Sequence, residues 1–100
     1  MVNTNLNSNW SQVQEHRELK LYHNPASSLL NVELDYTGTR EVPDKLIIRN
    51  SLGQVVKVLP VRGNRDFKTI NVSEWTSGLY FYSLMGKDQT LESGKFEILK

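Results

Sequence analysis

The sequence predicts an all-β domain made of seven short antiparallel strands. From Glu18 onward, apolar and polar residues alternate with the period of two that is typical of half-buried strands. Turn-forming residues recur at intervals of about eight to twelve residues, which is the spacing expected for a β-sandwich. No stretch carries an apolar stripe at helical spacing, and the chain has no internal repeat.

The composition sets limits on what the domain can be. A length of 100 residues suits a single domain with one hydrophobic core. The net charge of +1 gives no reason to expect nucleic acid or an anionic membrane surface as the main partner. The absence of cysteine excludes disulfides, thiolate-bound metal and a cysteine nucleophile. Basic residues outnumber acidic ones between Arg40 and Lys68, and we interpret that excess as a solvated face.

The N-terminal part of the chain differs from the rest. Residues 1–18 are rich in Asn, Ser and Gln and predict a flexible linker, which leaves residues 19–100 as the folded domain. The N-terminus lacks the apolar core of a signal peptide, and no apolar run approaches the roughly 20 residues of a transmembrane helix. If the protein is exported, we expect the chain to be a piece of a longer one, with Met1 as an added start.

The first two strands flank a turn. Leu19 and Leu21 begin the alternation. The pair Asn24-Pro25 predicts a turn, because proline presets φ and asparagine accepts a backbone hydrogen bond. The second strand has the clearest pattern in the chain and predicts a half-buried antiparallel strand. Its apolar positions are Leu30, Val32, Leu34 and Tyr36.

The third and fourth strands are predicted to pair as a hairpin after a loop over residues 37–44. Residues 45–50 are expected to face the core through Leu46 and Ile48. Gly53 lies in the tight connection that follows, where we expect it to supply a positive φ. Residues 55–59 return as the hairpin partner.

The last three strands complete the predicted fold. Residues 65–72 form the fifth strand, the sixth runs through Tyr80–Met85, and residues 91–99 close the domain after a hairpin turn at Gly86-Lys87-Asp88. Seven such strands predict an antiparallel Greek-key β-sandwich of the immunoglobulin or fibronectin-III-like class. The expected inward residues of these strands are Ile70, Val72, Tyr80, Tyr82, Leu84, Phe96 and Ile98.

The segment from Trp75 to Tyr80 matches a tyrosine corner. An apolar residue is followed by a turn that ends in Gly78, and Tyr80 then begins a strand. We expect the Tyr80 hydroxyl to reach a backbone group upstream, because a buried unpaired hydroxyl costs roughly 1–3 kcal/mol. Gly78 and Tyr80 are therefore interpreted first as structural residues.

The sequence contains none of the usual catalytic patterns. It has no Gly-x-Ser-x-Gly elbow and no glycine-rich phosphate loop. His16 and His23 lack metal-ligand spacing, and Glu33 and Asp35 lie on the polar side of an alternating strand, where we expect them to solvate the sheet. We therefore predict a protein that is not an enzyme and that binds no cofactor or metal.

Four motifs, in order, resemble a known family. Residues 21–26 read Leu-Tyr-His-Asn-Pro-Ala before an alternating strand, residues 47–56 place Gly53-Gln54 after an apolar strand, residues 75–84 contain Gly-Leu-Tyr, and residues 95–100 end in Lys100. Together they resemble the type A C-terminal sorting domain of the type IX secretion system, also called the Por secretion system. The resemblance spans residues 19–100. The family motif residues matched here are Tyr22, Asn24, Pro25, Gly53, Gly78 and Tyr80.

Two residues depart from the family pattern. His23 stands where the family usually has the first proline of Tyr-Pro-Asn-Pro-Ala, which should loosen the approach to the turn. Trp75 stands where leucine is commoner, which should enlarge the core beside Tyr80.

The resemblance implies a C-terminal module that directs a larger cargo protein of Bacteroidota through the outer membrane. It implies transit through the periplasm, and then a cell-surface or secreted location. The implied partners are an outer-membrane translocon, a shuttle and a sortase, with cleavage within residues 1–18 and attachment of the cargo at the surface. No nucleic acid and no transmembrane segment are implied.

Recognition by these partners is predicted to use the closing strand. We expect this strand to lie at a sheet edge, where unpaired backbone groups can accept another strand. The alternative is that the strand only completes the sandwich. The predicted recognition residues are Lys95, Phe96, Glu97, Ile98, Leu99 and Lys100.

A second function remains open on the sequence alone. A fibronectin-III-like spacer or a carbohydrate-binding module would carry the same tyrosine corner. A sugar-binding module exposes a platform of aromatic side chains, for which Phe67, Phe81 and Trp10 are the candidates.

Overall fold

A computed structural model describes residues 14–23 and 28–100, which form seven strands and no helix. The all-β prediction is therefore confirmed, and within these residues no helix exists that could cross a membrane. The strands are β1 Glu18–His23, β2 Leu29–Asp35, β3 Lys45–Asn50, β4 Val55–Pro60, β5 Arg65–Asn71, β6 Gly78–Gly86 and β7 Gln89–Ile98.

The strands form two antiparallel sheets that face each other as a sandwich. Sheet A has the order β1-β2-β5, and sheet B has the order β4-β3-β6-β7. The chain changes sheet after β2, after β4 and after β5, so β2 pairs with β5 and β3 pairs with β6 across long stretches of sequence. This is the predicted Greek-key connectivity.

The predicted alternation decides which side chains form the core. Leu30, Val32 and Leu34 of β2 are buried, and each faces sheet B because alternate residues of a strand share a face. Sheet B contributes buried residues from β3, β6 and β7. The expected inward residues are confirmed, with Tyr82 and Phe96 partly buried against the core. The core side chains of sheet B are Leu46, Ile48, Tyr80, Leu84 and Ile98.

The tyrosine corner forms as predicted. The Tyr80 hydroxyl donates a hydrogen bond to the carbonyl oxygen of Thr76 at 2.7 Å. The ring of Trp75 packs on one side of it at 5.2 Å, and the ring of Phe96 stacks on it at 5.7 Å. The hydrogen bond satisfies a hydroxyl that would otherwise be buried without a partner.

Two hairpin turns place different residue types at positions with positive φ. Gly53 adopts φ of 84°, as predicted, beside an Asn50 side chain that accepts hydrogen bonds from the amides of Leu52 and Gln54. The β6–β7 turn instead places two residues with side chains, Lys87 and Asp88, at φ of 50° and 63°. Positive φ at both central residues is the geometry of a type I′ turn, which favours Asn-Gly.

The strands at the two ends of the domain, β1 and β7, lie side by side at one edge of the sandwich. They run in the same direction. Tyr36, which follows the residue paired with Glu18, hydrogen-bonds to Glu92 near the beginning of β7. Lys100, just after β7, reaches the carbonyls of Val72 and Ser73 at the opposite end of the sandwich. The beginning of β1 and the end of β7 therefore lie at opposite ends of the domain.

The last residues of the predicted linker contact the domain. The His16 amide donates to the Thr37 carbonyl at 2.8 Å, and the Arg17 guanidinium pairs with Glu41 at 2.8 Å. The rest of the linker prediction, Trp10 included, concerns residues 1–13 and lies outside the described residues. The predicted Asn24-Pro25 turn also lies outside them.

Candidate recognition surface

The family motif residues lie at turns and in the core. Gly53 occupies the β3–β4 turn, Gly78 begins β6 with φ of 151°, and Tyr80 is buried. Tyr22 is exposed on the outer face of sheet A, where its hydroxyl donates to the Glu33 carboxylate at 2.5 Å. Asn24 and Pro25 are outside the described residues. The described motif residues thus have structural surroundings that explain their presence without a ligand.

The predicted recognition strand lies at an edge of sheet B, because among the described strands β7 pairs only with β6, and β1 of sheet A lies beside it. Its side chains divide by face. Ile98 is fully buried and Phe96 stacks on Tyr80, whereas Lys95 and Glu97 are exposed on the outer face. A partner that reads β7 from outside therefore meets the two charged side chains and the strand's backbone.

Lys100 has a structural role that the sequence did not indicate. Its ammonium donates to the Val72 and Ser73 carbonyls at 2.7 and 2.8 Å, and its amide donates to the Ser77 hydroxyl at 3.1 Å. These bonds fasten the chain end to the β5–β6 connection. Of the six predicted recognition residues, Lys95, Glu97 and Leu99 remain exposed without such a bond.

An acidic side chain faces inward on β7, which the sequence analysis missed. Glu92 accepts a hydrogen bond of 2.6 Å from the hydroxyl of Tyr36, which is buried. Burial and this hydrogen bond raise the pKa of Tyr36 well above its ordinary value. Glu92 lies opposite the buried Leu84 and continues the alternation of Ile98, Phe96 and Gly94, so it shares their inward face. Its partner Tyr36 lies 56 residues away in sequence, so local patterning could not reveal the contact.

The carboxylates of β2 are occupied by local hydrogen bonds. Asp35 accepts from the hydroxyl and the amide of Thr37, and these bonds lower the pKa of Asp35 below its ordinary value. The Glu33 carboxylate holds the Tyr22 hydroxyl. No cluster of three potential metal ligands exists among the residues described.

The exposed phenylalanines do not form one platform. Phe67 pairs with Glu33 on the outer face of sheet A, whereas Phe81 pairs with Lys95 on the outer face of sheet B. Directly opposed residues share a face, so the thickness of the sandwich separates the two rings. Trp10 lies outside the described residues.

Comparison with known protein families decides the assignment. Residues 20–98 match the model of the secretion system C-terminal sorting domain, the tail of the Por system. The chain belongs to this family. Searches of curated proteins and of solved structures gave no significant match. The match begins within β1 and ends at the last residue of β7, so the sorting domain coincides with the sandwich.

Proposed function

We propose that the sorting domain is a non-catalytic export label, which directs a larger upstream cargo through the outer membrane by type IX secretion. Membership of the family over residues 20–98 carries this proposal, because that family consists of secretion system sorting domains. The destination is the cell surface or the medium, after passage through the periplasm. The partners are the translocon, the shuttle and the sortase implied by the resemblance.

The surroundings of the polar side chains support a role without catalysis. General acid or base chemistry needs a carboxylate or an imidazole that is free to reach a substrate. Glu33 and Asp35 instead hold Tyr22 and Thr37, and Glu92 holds Tyr36 between the sheets. These groups stabilise the fold and leave recognition as the task of the surface.

We assign the reading of the label to β7. The strand is ten residues long, lies at a sheet edge and presents Lys95 and Glu97 outward. Its inward residues Phe96 and Ile98 belong to the core, so deleting the chain end would destroy the fold together with the label. A useful test must change the outer face alone.

The test is a charge exchange in a secreted cargo fusion. Lys95→Glu together with Glu97→Lys keeps the net charge and the core but reverses the pattern that a partner meets. We expect export to fall, measured as the fraction of cargo in the medium and on the cell surface. The matched control is Glu18→Lys with Lys20→Glu, which makes the same exchange on β1, the edge strand of sheet A that lies beside β7. Unchanged export with the β7 exchange would reject β7 as the label.

Cleavage of the cargo is proposed to occur upstream of His16. A protease binds its substrate in an extended form, so it needs a segment that is not already bound to the domain. The His16 amide and the Arg17 side chain are bound to the β2–β3 connection, which protects this part of the junction. Mass spectrometry of the released domain should find its N-terminus at or before residue 16. A first residue beyond His16 would contradict this position.

A further inference from the structure

We propose that β4 is a second docking edge, which accepts an extended segment of a partner protein whose side chains alternate between apolar and acidic. This edge is separate from β7 and does not depend on how β7 is read. The proposal rests on the backbone, the apolar side chains and the charges of the β3–β4 hairpin.

The backbone of β4 is free along one side. Among the described strands, β3 is its sole backbone neighbour, whereas β7 has β1 beside it at the other edge of the sandwich. The Val61 amide donates to the Asp44 carbonyl on the β3 side at 3.0 Å. Amide direction alternates along a strand, so the Val58 N–H and C=O point away from β3 toward the free edge.

The side chains of β4 are apolar although the strand is exposed. Val55 and Val58 are 51% and 50% exposed, and Val56 is also exposed. Val58 lies opposite Ile47, and Val55 lies opposite Arg49, which places both valines on the outer face of sheet B. Leu52, at the tip of the same hairpin, is 82% exposed. An apolar surface of this kind on one hairpin marks an interaction site.

The charges on β4 and on its paired strand β3 have one sign. The other edge strands, β1, β5 and β7, each contain at least one Asp or Glu, whereas β4 contains none. The next two strands of sheet B, β3 and β6, also contain none. The cations of this half of sheet B are Lys45, Arg49 and Lys57. An added strand with carboxylates therefore matches the edge, since opposite charges on neighbouring strands attract.

The same charges exclude a second copy of this chain as the occupant. Pairing two β4 strands would place the Lys57 side chains of the two copies on the same face of the joined edge, and like charges across strands are destabilising. Lys57 lies opposite the buried Ile48, so it points toward the inner side of the edge. Natural sheets use such an inward-pointing charge to prevent self-association. An added strand with a carboxylate beside Lys57 would form an ion pair with it instead.

A lipid surface is also excluded as the occupant. The free N–H and C=O groups of β4 would enter hydrocarbon without partners, at a cost of several kcal/mol for each group. An extended peptide instead satisfies them by adding a fifth strand to sheet B, which is a recurring mode of peptide recognition.

The register predicts the pattern of the partner segment. Its residue beside Val58 should be apolar, and its residue beside Lys57 should be acidic. The probe is therefore a twelve-residue peptide in which valine alternates with glutamate, labelled for fluorescence anisotropy. A second peptide with lysine at the glutamate positions is its control.

Variants of the folded domain separate edge pairing from simple charge attraction. Val58→Pro removes the outward N–H but no bond to β3, and it should weaken binding of the acidic peptide by about tenfold or more, whereas Val58→Thr should retain it. Lys57→Glu should also weaken binding. Lys95→Glu, which makes the same charge change on β7, should leave it unchanged.

Hydrogen exchange identifies the site directly. Binding of the acidic peptide should slow exchange of the Val58 amide, while thermal unfolding confirms that each variant is folded. Equal binding by Val58→Pro and the unchanged protein would overturn the proposal, as would binding without protection of Val58. If Lys95→Glu abolishes binding and the β4 variants do not, the peptide binds at β7, and β4 is rejected as its site.

Discussion

A few side-chain hydrogen bonds hold the β5–β6 connection and the chain end of this domain in place. The Tyr80 hydroxyl fastens the β5–β6 connection through Thr76, and Lys100 fastens the chain end to the same region. The presence of a tyrosine corner could be predicted from residues 75–80, because its spacing is local. The role of Lys100 could not, because its partners lie 27 and 28 residues away in sequence.

Replacing Tyr80 by phenylalanine tests the corner. Tyr80→Phe keeps the stacked rings but leaves the Thr76 carbonyl without its donor, so we expect a loss of about 1–2 kcal/mol in the free energy of unfolding. Urea denaturation measures it. Tyr22→Phe is the matched control, because the Tyr22 hydroxyl bonds to Glu33 on the exposed face, and it should change stability little. Equal effects of the two variants would contradict a special role for the corner.

Asp66 should make stability depend on acid pH. Burial opposes its ionisation, but hydrogen bonds from the Arg62 amide and the Lys68 ammonium outweigh burial and lower the pKa of Asp66. A lowered pKa contributes stability that is present above the unfolded value of about 3.9 and is lost as pH falls through the folded value.

Asp66→Asn should therefore reduce the difference in unfolding free energy between pH 7 and pH 3. Chemical denaturation at the two pH values measures this difference. Glu74→Gln, a change at an exposed position, is the control and should leave the difference unaltered. An Asp66→Asn variant with the full difference would show that other groups cause the acid dependence.

At the scale of elements, the alternation of residues predicted every strand, whereas interruptions of the alternation escaped prediction. The strands and inward residues followed from a period of two, which local sequence displays directly. The bulges did not, since an extra residue shifts the faces without a sequence mark. Cross-strand contacts also escaped prediction: a Cβ at Gly94 would lie 2.6 Å from Cζ of Tyr82, and only the register that pairs the two residues reveals the need for glycine.

One of the two candidate recognition edges could be predicted from the sequence, and the other could not. The edge position of β7 was predicted because the strand closes the chain, and the structure confirms it. The β4 edge was not predicted. A short strand with three valines resembles a buried strand in sequence, and only the sheet topology shows that β4 is exposed at an edge. Exposure of an apolar strand depends on which strands surround it, and that is a property of the whole sandwich.

The β6–β7 turn offers a stabilising change. Lys87 and Asp88 both adopt positive φ, which costs residues with a Cβ roughly 1–2 kcal/mol each. Replacing the pair by Asn-Gly, as Lys87→Asn with Asp88→Gly, should raise the unfolding free energy by about 1 kcal/mol. Thermal unfolding measures the gain. The same pair placed at the exposed positions 73 and 74, where φ is not positive, should give no gain, and a gain there would refute the argument from φ.

At the scale of the whole molecule, the hydrophobic core joins the two sheets, and a polar contact near the edge of the core links them as well. Tyr36, which follows the last strand residue of β2 in sheet A, donates to Glu92 on β7 of sheet B. Because burial raises the pKa of Tyr36, the folded domain favours the neutral phenol. A raised pKa contributes stability that is fully present below the unfolded value of about 10 and is lost as pH rises above it.

The sandwich should therefore lose stability above about pH 10, and Tyr36→Phe should reduce that loss. Circular dichroism during denaturation at pH 8 and pH 11 measures the change. Tyr22→Phe is again the comparison, since that phenol is exposed, and it should reduce the loss less. The prediction is wrong if the two variants respond alike at high pH.

The parallel course of β1 and β7 has a mechanical consequence. Cargo joined ahead of β1 and a reader holding the end of β7 would pull on opposite ends of the sandwich, in the direction of the strands. Ladder hydrogen bonds run across the strands, so such tension shears many of them together instead of opening them one after another. If β7 is read as proposed, the domain would transmit a pull from its reader to the cargo while the sandwich stays folded.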